Sequence, residues 1–190
     1  MKGKAFAAAG LIAGFTAFAF AGFMFIHYDM HYRSFKVPTA SMSPTIESKE
    51  RIVADMGAYK TRGPERGDIV VYELLDKGKR RVMCKRIAAL PGEEVDIRYG
   101  KVYINGAAIE IPGAPVGIYY PNAGDFGKAA QPVRIADGFY YVLGDNPAAS
   151  FDSRQHGPVD GRDIKGKYLF AYRVLPTWQI IKLLLKKTPS

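Results

Sequence analysis

The sequence predicts a mainly β domain behind a single N-terminal apolar helix, and three observations carry that prediction. Twenty Gly and 12 Pro stand beside an aromatic content of 13%, a mixture of turn formers with Tyr and Phe that favours β structure. Short β-branched and aromatic runs alternate with turn dipeptides, and no amphipathic helical period of useful length occurs between residues 50 and 170. Residues Ala5 to Ile26 form a run of 22 without a charge. A chain of 190 residues has room for one domain, or for one domain with a small insertion.

The apolar run comes first. At a rise of about 1.5 Å per residue it covers about 33 Å as a helix, enough for a bilayer core of about 30 Å. Lys2 and Lys4 precede it, and His27, Tyr28, Tyr32 and Arg33 follow as an interfacial collar. A cleavable leader is the alternative, because Ala19-Phe20-Ala21 has the small-x-small pattern; the run exceeds the usual apolar core of about 7–15 residues, which favours a retained anchor. Arg33 and Lys36 nearly balance Lys2 and Lys4, and the α-amine tips the orientation toward N-terminus inside. The β domain then lies outside the cytoplasm.

The β elements follow in order. Ile69–Tyr72 and Arg81–Ile87 flank the turn-like Asp76-Lys77-Gly78-Lys79 and predict a hairpin. Lys101–Ile104 and Ala107–Ile111 flank Asn105-Gly106, which suits a type I′ turn and predicts a second. Val133–Ile135 and Phe139–Leu143 around Asp137-Gly138 predict a third, and Tyr168–Val174 a late strand. Pro112 to Pro132 reads as a long loop or ribbon insertion. Near the end, Trp178, Ile181 and Leu185 fall on one side and Gln179, Lys182 and Lys186 on another. That segment is too short to span a bilayer, and it either lies in the interface or packs on the β domain.

Composition narrows the function classes. Hydrophobic content of 48% with 24% charged residues excludes wholesale disorder. The single cysteine, Cys84, excludes an internal disulfide and any multi-Cys metal site, and reads as core packing. Three histidines leave little for a His-based metal site. The net charge of +9 suits nucleic acid or anionic lipid. The basic residues are scattered, with short clusters at Lys77–Arg81 and Lys186–Lys187, which favours a solvated or membrane-facing surface and no nucleic acid.

Three stretches carry candidate chemistry. Val37-Pro-Thr-Ala-Ser-Met-Ser-Pro-Thr45 places Ser41 shortly after the apolar run, between stiffening prolines; alone it also reads as a linker. In Met83-Cys-Lys-Arg-Ile-Ala-Ala-Leu-Pro-Gly92, a strand puts Met83, Lys85 and Ile87 on one face. A lysine with a pKa of about 10.4 is neutral in only about one molecule in 2,500 at pH 7, and burial makes it a usable base at a cost of about 4 kcal/mol. The plain alternative is a lysine whose head reaches water. Leu143-Gly-Asp-Asn-Pro-Ala-Ala-Ser-Phe-Asp-Ser-Arg-Gln-His-Gly157 is dense in polar groups after a strand, either a polar turn or a frame in which Asp152 and Arg154 pair and Ser150 orients a neighbour. A Ser–His–Asp triad would rest on His156, the one histidine inside the domain.

Taken together and in this order behind an apolar helix, the three stretches resemble type I signal peptidases over about residues 37 to 173. The resemblance implies an antiparallel, barrel-like β fold with one N-terminal transmembrane helix. It divides the chain into an anchor at 1–33, a catalytic domain at 34–175 with a short insertion at about 92–138, and a tail at 176–190. It implies Ser41 as nucleophile, Lys85 as general base, and an oxyanion hole from the Thr39 hydroxyl and the Ser41 N–H. Ser150 matches the serine that orients the lysine, Asp152 a structural acid, and Arg154 and Arg86 its ion partners. No metal or cofactor is required. The implied substrates are exported preproteins cut after small residues at the first and third positions before the bond. The implied place is the bacterial inner membrane, single-pass, with the domain on the periplasmic side. Departures are Lys49-Glu50 where Gly-Asp is usual, Pro147 where Arg often follows Gly-Asp-Asn, and Glu93 for Asp after Leu-Pro-Gly. Three alternatives stay open: a conjugative-transfer peptidase that processes pilin precursors, a soluble self-cleaving repressor (which would need a DNA-binding helical domain in the place of the apolar run), and an inactive membrane-anchored binding module.

Overall fold

The computed structural model describes residues 15–22, 31–121, 124–128 and 131–175. Residues 15–22 are helical. The rest of Ala5–Ile26 lies outside the described residues, as does Trp178–Leu185, and no described helix is long and apolar enough to cross a membrane.

Among the described residues, eleven strands form two antiparallel sheets. In chain order they are β1 (Tyr32–Lys36), β2 (Arg51–Asp55), β3 (Ile69–Asp76), β4 (Lys79–Ala89), β5 (Glu94–Arg98), β6 (Lys101–Ile104), β7 (Ala107–Ile109), β8 (Val133–Arg134), β9 (Phe139–Leu143), β10 (Val159–Asp160) and β11 (Ile164–Tyr172). One four-residue helix, α1 (Ser153–His156), follows β9. The larger sheet runs β1-β2-β11-β3-β4-β9-β10 and the smaller β7-β6-β5-β8. The last of the described strands, β11, therefore sits in the middle of the larger sheet, bonded to β2 on one side and β3 on the other.

Two of the predicted hairpins form as expected. Lys77 and Gly78 have φ of 48° and 77°, and Asn105 and Gly106 have 51° and 82°. Positive φ at both central residues is what a two-residue I′ turn requires. The third prediction is corrected: Val133–Arg134 pairs with β5, while Phe139–Leu143 pairs with β4 and β10. The Asp137-Gly138 turn is real, but it passes the chain from one sheet to the other, and turn chemistry alone does not choose a strand's partner. The predicted late strand starts earlier, at Ile164, and ends at Tyr172. The described residues of 112–132 are fastened to the domain, with Phe126 N donating to Arg154 O at 3.0 Å and Ile97 N to Gly127 O at 2.8 Å.

The continuous run Ile69-Val-Val-Tyr72 is apolar because both faces of β3 are covered. Ile69 and Val71 pack with Val37, Met42, Ile46 and Ile52 on one side. Val70 and Tyr72 pack with Ile87, Val142 and Val159 on the other. A third cluster, built on Val95, Ile97 and Ile104 of the smaller sheet with Tyr141 and Leu143 of the larger, joins the two.

The loop from Val37 to Glu50 is closed at its base by Val37 N to Glu50 O at 2.9 Å and Lys49 N to Val37 O at 2.8 Å. Lys49 adopts φ of 72° there, a left-handed conformation that costs a side-chain-bearing residue about 1–2 kcal/mol. The resemblance expects glycine at this position. Lys49→Gly is expected to leave stability unchanged or raise it by up to about 1 kcal/mol, and the β-branched Lys49→Val to lower it by about 1–2 kcal/mol, measured by urea unfolding.

Candidate functional site

Ser41 sits in the closed loop between β1 and β2. Buried Met42 and Ile46 pin that loop into the core, and Ile46 N donates to Met42 O at 2.9 Å. Lys85 lies on β4 directly opposite Val70 of β3, so its stem is flanked by apolar side chains and only 2% of the residue is exposed. Its Nζ stands 2.7 Å from Ser41 Oγ and 3.0 Å from the Cys84 carbonyl oxygen. Thr39 Oγ1 donates to Ser41 Oγ at 3.3 Å.

Burial lowers the Lys85 amine below its ordinary 10.5; the charge of Arg154 adds to the effect, while Asp152 and Asp145 oppose it. Cys84 supplies no negative charge, because its enclosed thiol is pushed up to about 12 and stays neutral. His156 is not positioned as a base for Ser41. Its Nδ1 donates to Gly157 O at 2.8 Å, and its Nε2 accepts from Tyr72 Oη at 3.2 Å. Burial also lowers its pKa, so the ring is neutral and fully engaged at neutral pH.

A polar frame surrounds the pair. Asp152 caps α1 and receives Arg154 Nε at 2.8 Å and Arg154 Nη2 at 3.0 Å, together with the Gly144 N–H at 3.0 Å. Arg86 corrects the sequence expectation: its acid is Asp145, bound in a fork at 2.9 and 2.6 Å, and not Asp152. The same Asp145 accepts from Thr45 Oγ1, and Asn146 N donates to Ser41 O at 3.1 Å. Ser150 Oγ is buried and makes no hydrogen bond among the described residues, so the expected contact with Lys85 is not formed. A Cβ on Gly144 would come within 2.2 Å of Ser150 Oγ and 2.5 Å of Ser41 O, which is why no side chain is tolerated there. Among the described residues no group of three or more His, Cys, Asp or Glu stands ready to hold a metal ion.

The pair heads a cleft of about 380 Å³. One wall is Val37–Thr39, the other Arg81–Lys85 on β4, and Phe151 borders it. Residues 9–173 match the family described as signal peptidase, peptidase S26. The chain belongs to this signal peptidase family. This S26 chain is 35% identical over 144 residues to a probable signal peptidase I-2 of Synechocystis, a match covering 74% of this chain and 62% of that one. It is 32% identical to thylakoidal processing peptidase 1 of Arabidopsis thaliana, over 72% of this chain and 40% of the relative. It is 34% identical to signal peptidase I U of Bacillus subtilis, over 65% of each chain. The chain thus spans less than two thirds of the length of these curated relatives.

Sequence reasoning on this S26 chain missed Thr45 and Asp145. Both lay inside motifs already singled out, but their meeting across the fold leaves no local signal. Removing the acid while leaving Arg86 buried strands a charge, so Asp145→Ala is expected to cost about 3–5 kcal/mol in chemical unfolding. A second expectation concerns Lys85. Its folded value lies below 10.5, so at lower pH the unfolded amine binds a proton that the folded amine resists, and folding is penalised. Lys85→Met is expected to be more stable than wild type at pH 7, with the advantage shrinking as pH rises toward 10.5 and gone above it, measured by melting temperature against pH.

Proposed function

We propose that this chain is a membrane-bound serine endopeptidase that removes N-terminal signal peptides from exported preproteins, with Ser41 as nucleophile and Lys85 as general base. The observation that carries this reading is the 2.7 Å approach of a buried amine to a serine hydroxyl at the head of a peptide-sized cleft. The names of the relatives, signal peptidases and a thylakoidal processing peptidase, support it.

The chemistry follows from the geometry. Neutral Lys85 accepts the Ser41 proton as Oγ attacks the scissile carbonyl. The oxyanion is held by the Ser41 N–H and by the Thr39 hydroxyl, which lies within 3.3 Å of Oγ. Lysinium then protonates the leaving amine. Water enters and gives its proton to Lys85 as its oxygen attacks the ester carbonyl; the bond from the carbonyl carbon to Ser41 Oγ then breaks, and Lys85 returns the proton to Oγ. Asp152, Arg154 and Arg86 act as positioning residues that hold the polar frame around Ser41 and Lys85. The outer edge of β4 offers main-chain groups to an extended peptide, which adds as a strand. The apolar cleft takes the small residues at the first and third positions before the bond. The apolar N-terminal segment anchors the chain, the domain at 34–175 works on the outer face of the membrane, and the part at about 92–138 is its insertion.

The test is cleavage of a preprotein by the full chain in detergent. Wild type cuts, while Ser41→Ala and Lys85→Ala do not; equal activity in all three overturns the reading in favour of a binding module. Thr39→Val is expected to lower kcat by the equivalent of about 2.7–4 kcal/mol, read from steady-state rates. Because the unprotonated amine is the reactive form, kcat/KM is expected to rise with pH along a limb that titrates below 10.5.

A further inference from the structure

Strand β4 has two neighbours over only part of its length. It pairs with β3 from Lys79 to Arg86, but with β9 only between Arg86 and Ala89. On the other side of β3, β11 reaches no further along the hairpin than Tyr72. Glu73–Asp76 and Lys79–Val82 therefore leave the sheet as a two-stranded ribbon, and among the described residues nothing pairs with the outer edge of β4 from Lys79 to Lys85.

The register of this hairpin is unbroken. Directly opposite residues share a face and faces alternate, so Val71 with Cys84, Glu73 with Val82, and Leu75 with Arg80 stand in one row. That row begins inside the cleft, which Val71, Cys84 and Val82 line. It ends in solvent, with Val82 55% and Leu75 70% exposed. The two charged members neutralise each other, Arg80 Nη1 meeting Glu73 Oε2 at 3.0 Å. What the ribbon offers beyond the cleft is an open main-chain edge and two apolar side chains.

We propose that the ribbon is the upstream extension of the peptide cleft and takes apolar substrate side chains well before the cut bond. The proposal rests on the peptidase reading above. The occupant is the bound peptide itself, because the ribbon continues the same edge and the same row of side chains that form the cleft wall. A strand advances about 3.3 Å per residue, so Val82 lies about 10 Å and Arg80 about 17 Å along β4 from Lys85. A peptide advancing at the same rate, its first residues filling the cleft, brings the side chains about five or six residues before the bond level with Leu75 and Arg80. Apolar residues there gain contact with Leu75, and charged ones do not.

The experiment uses the full chain in detergent and three synthetic peptides with the same cleavable core. One begins three residues before the bond; two extend seven residues before it, carrying either Leu or Ser at the fifth and sixth positions. Wild type is expected to favour the Leu peptide over the Ser peptide by about fivefold in kcat/KM, the order that partial burial of one leucine supplies. Leu75→Ser is expected to abolish that preference while the short peptide is cut at the wild-type rate. A preference that survives Leu75→Ser, or none in wild type, overturns the extension while leaving the peptidase reading intact. A Leu75→Ser variant that keeps its preference but loses binding to vesicles containing anionic lipid would assign the ribbon to the membrane surface and also overturns it. Wild type that cuts none of the three peptides brings down the peptidase reading and the extension with it.

Discussion

The site depends on keeping one amine dry. Burial disfavours the charged form of Lys85, and water around its Nζ would favour it again. β3 and β4 supply the apolar flank, and the loop from Val37 to Glu50 lays the serine over the amine. The nearby charges are arranged so that none defeats this. Asp145 and Asp152, which favour the protonated amine, are each already forked to an arginine. Neither carboxylate is a hydrogen-bond partner of the lysine.

The three sequence stretches correspond to three mechanical tasks. The first sets the serine through buried Met42 and Ile46 and sends Thr45 to Asp145. The second places the lysine and, on the next residue, the arginine that engages the same aspartate. The third returns to the serine through Asn146 N and stiffens itself through Asp152 and Arg154. Asp145 is where the first, second and third meet. Its carboxylate ties together residues 45, 86 and 145, which are far apart in the chain. Bare backbone at Gly144 lets the third stretch come close enough to do so.

Much of this was readable from local pattern, and the parts that were not have a common cause. The hairpins at Lys77-Gly78 and Asn105-Gly106 announce themselves because the turn residues and flanking strands are contiguous. β2 (Arg51–Asp55) went unread because three apolar residues in a row suit a buried helix as well as a strand. β1, with a mostly half-exposed pattern, has no periodic signal at all. Motif order singled out Ser41 and Lys85, which the fold brings within 2.7 Å, whereas the Arg86–Asp145 pairing was not legible, since it depends on which loop crosses which strand. The same limit explains why Val133–Ile135 was joined to Phe139–Leu143: adjacency in sequence does not reveal that the chain changes sheets.

The position of β11 has a consequence for biosynthesis. β11, the last of the described strands, is wedged between β2, which follows the serine's loop, and β3, which is hairpinned to the lysine's strand. A nascent chain on the ribosome that has emerged only through β9 holds Ser41 and Lys85 but lacks the wedge between their two halves. The sheet that sets the Ser41 loop beside the Lys85 strand is therefore complete only once β11 has been made and inserted.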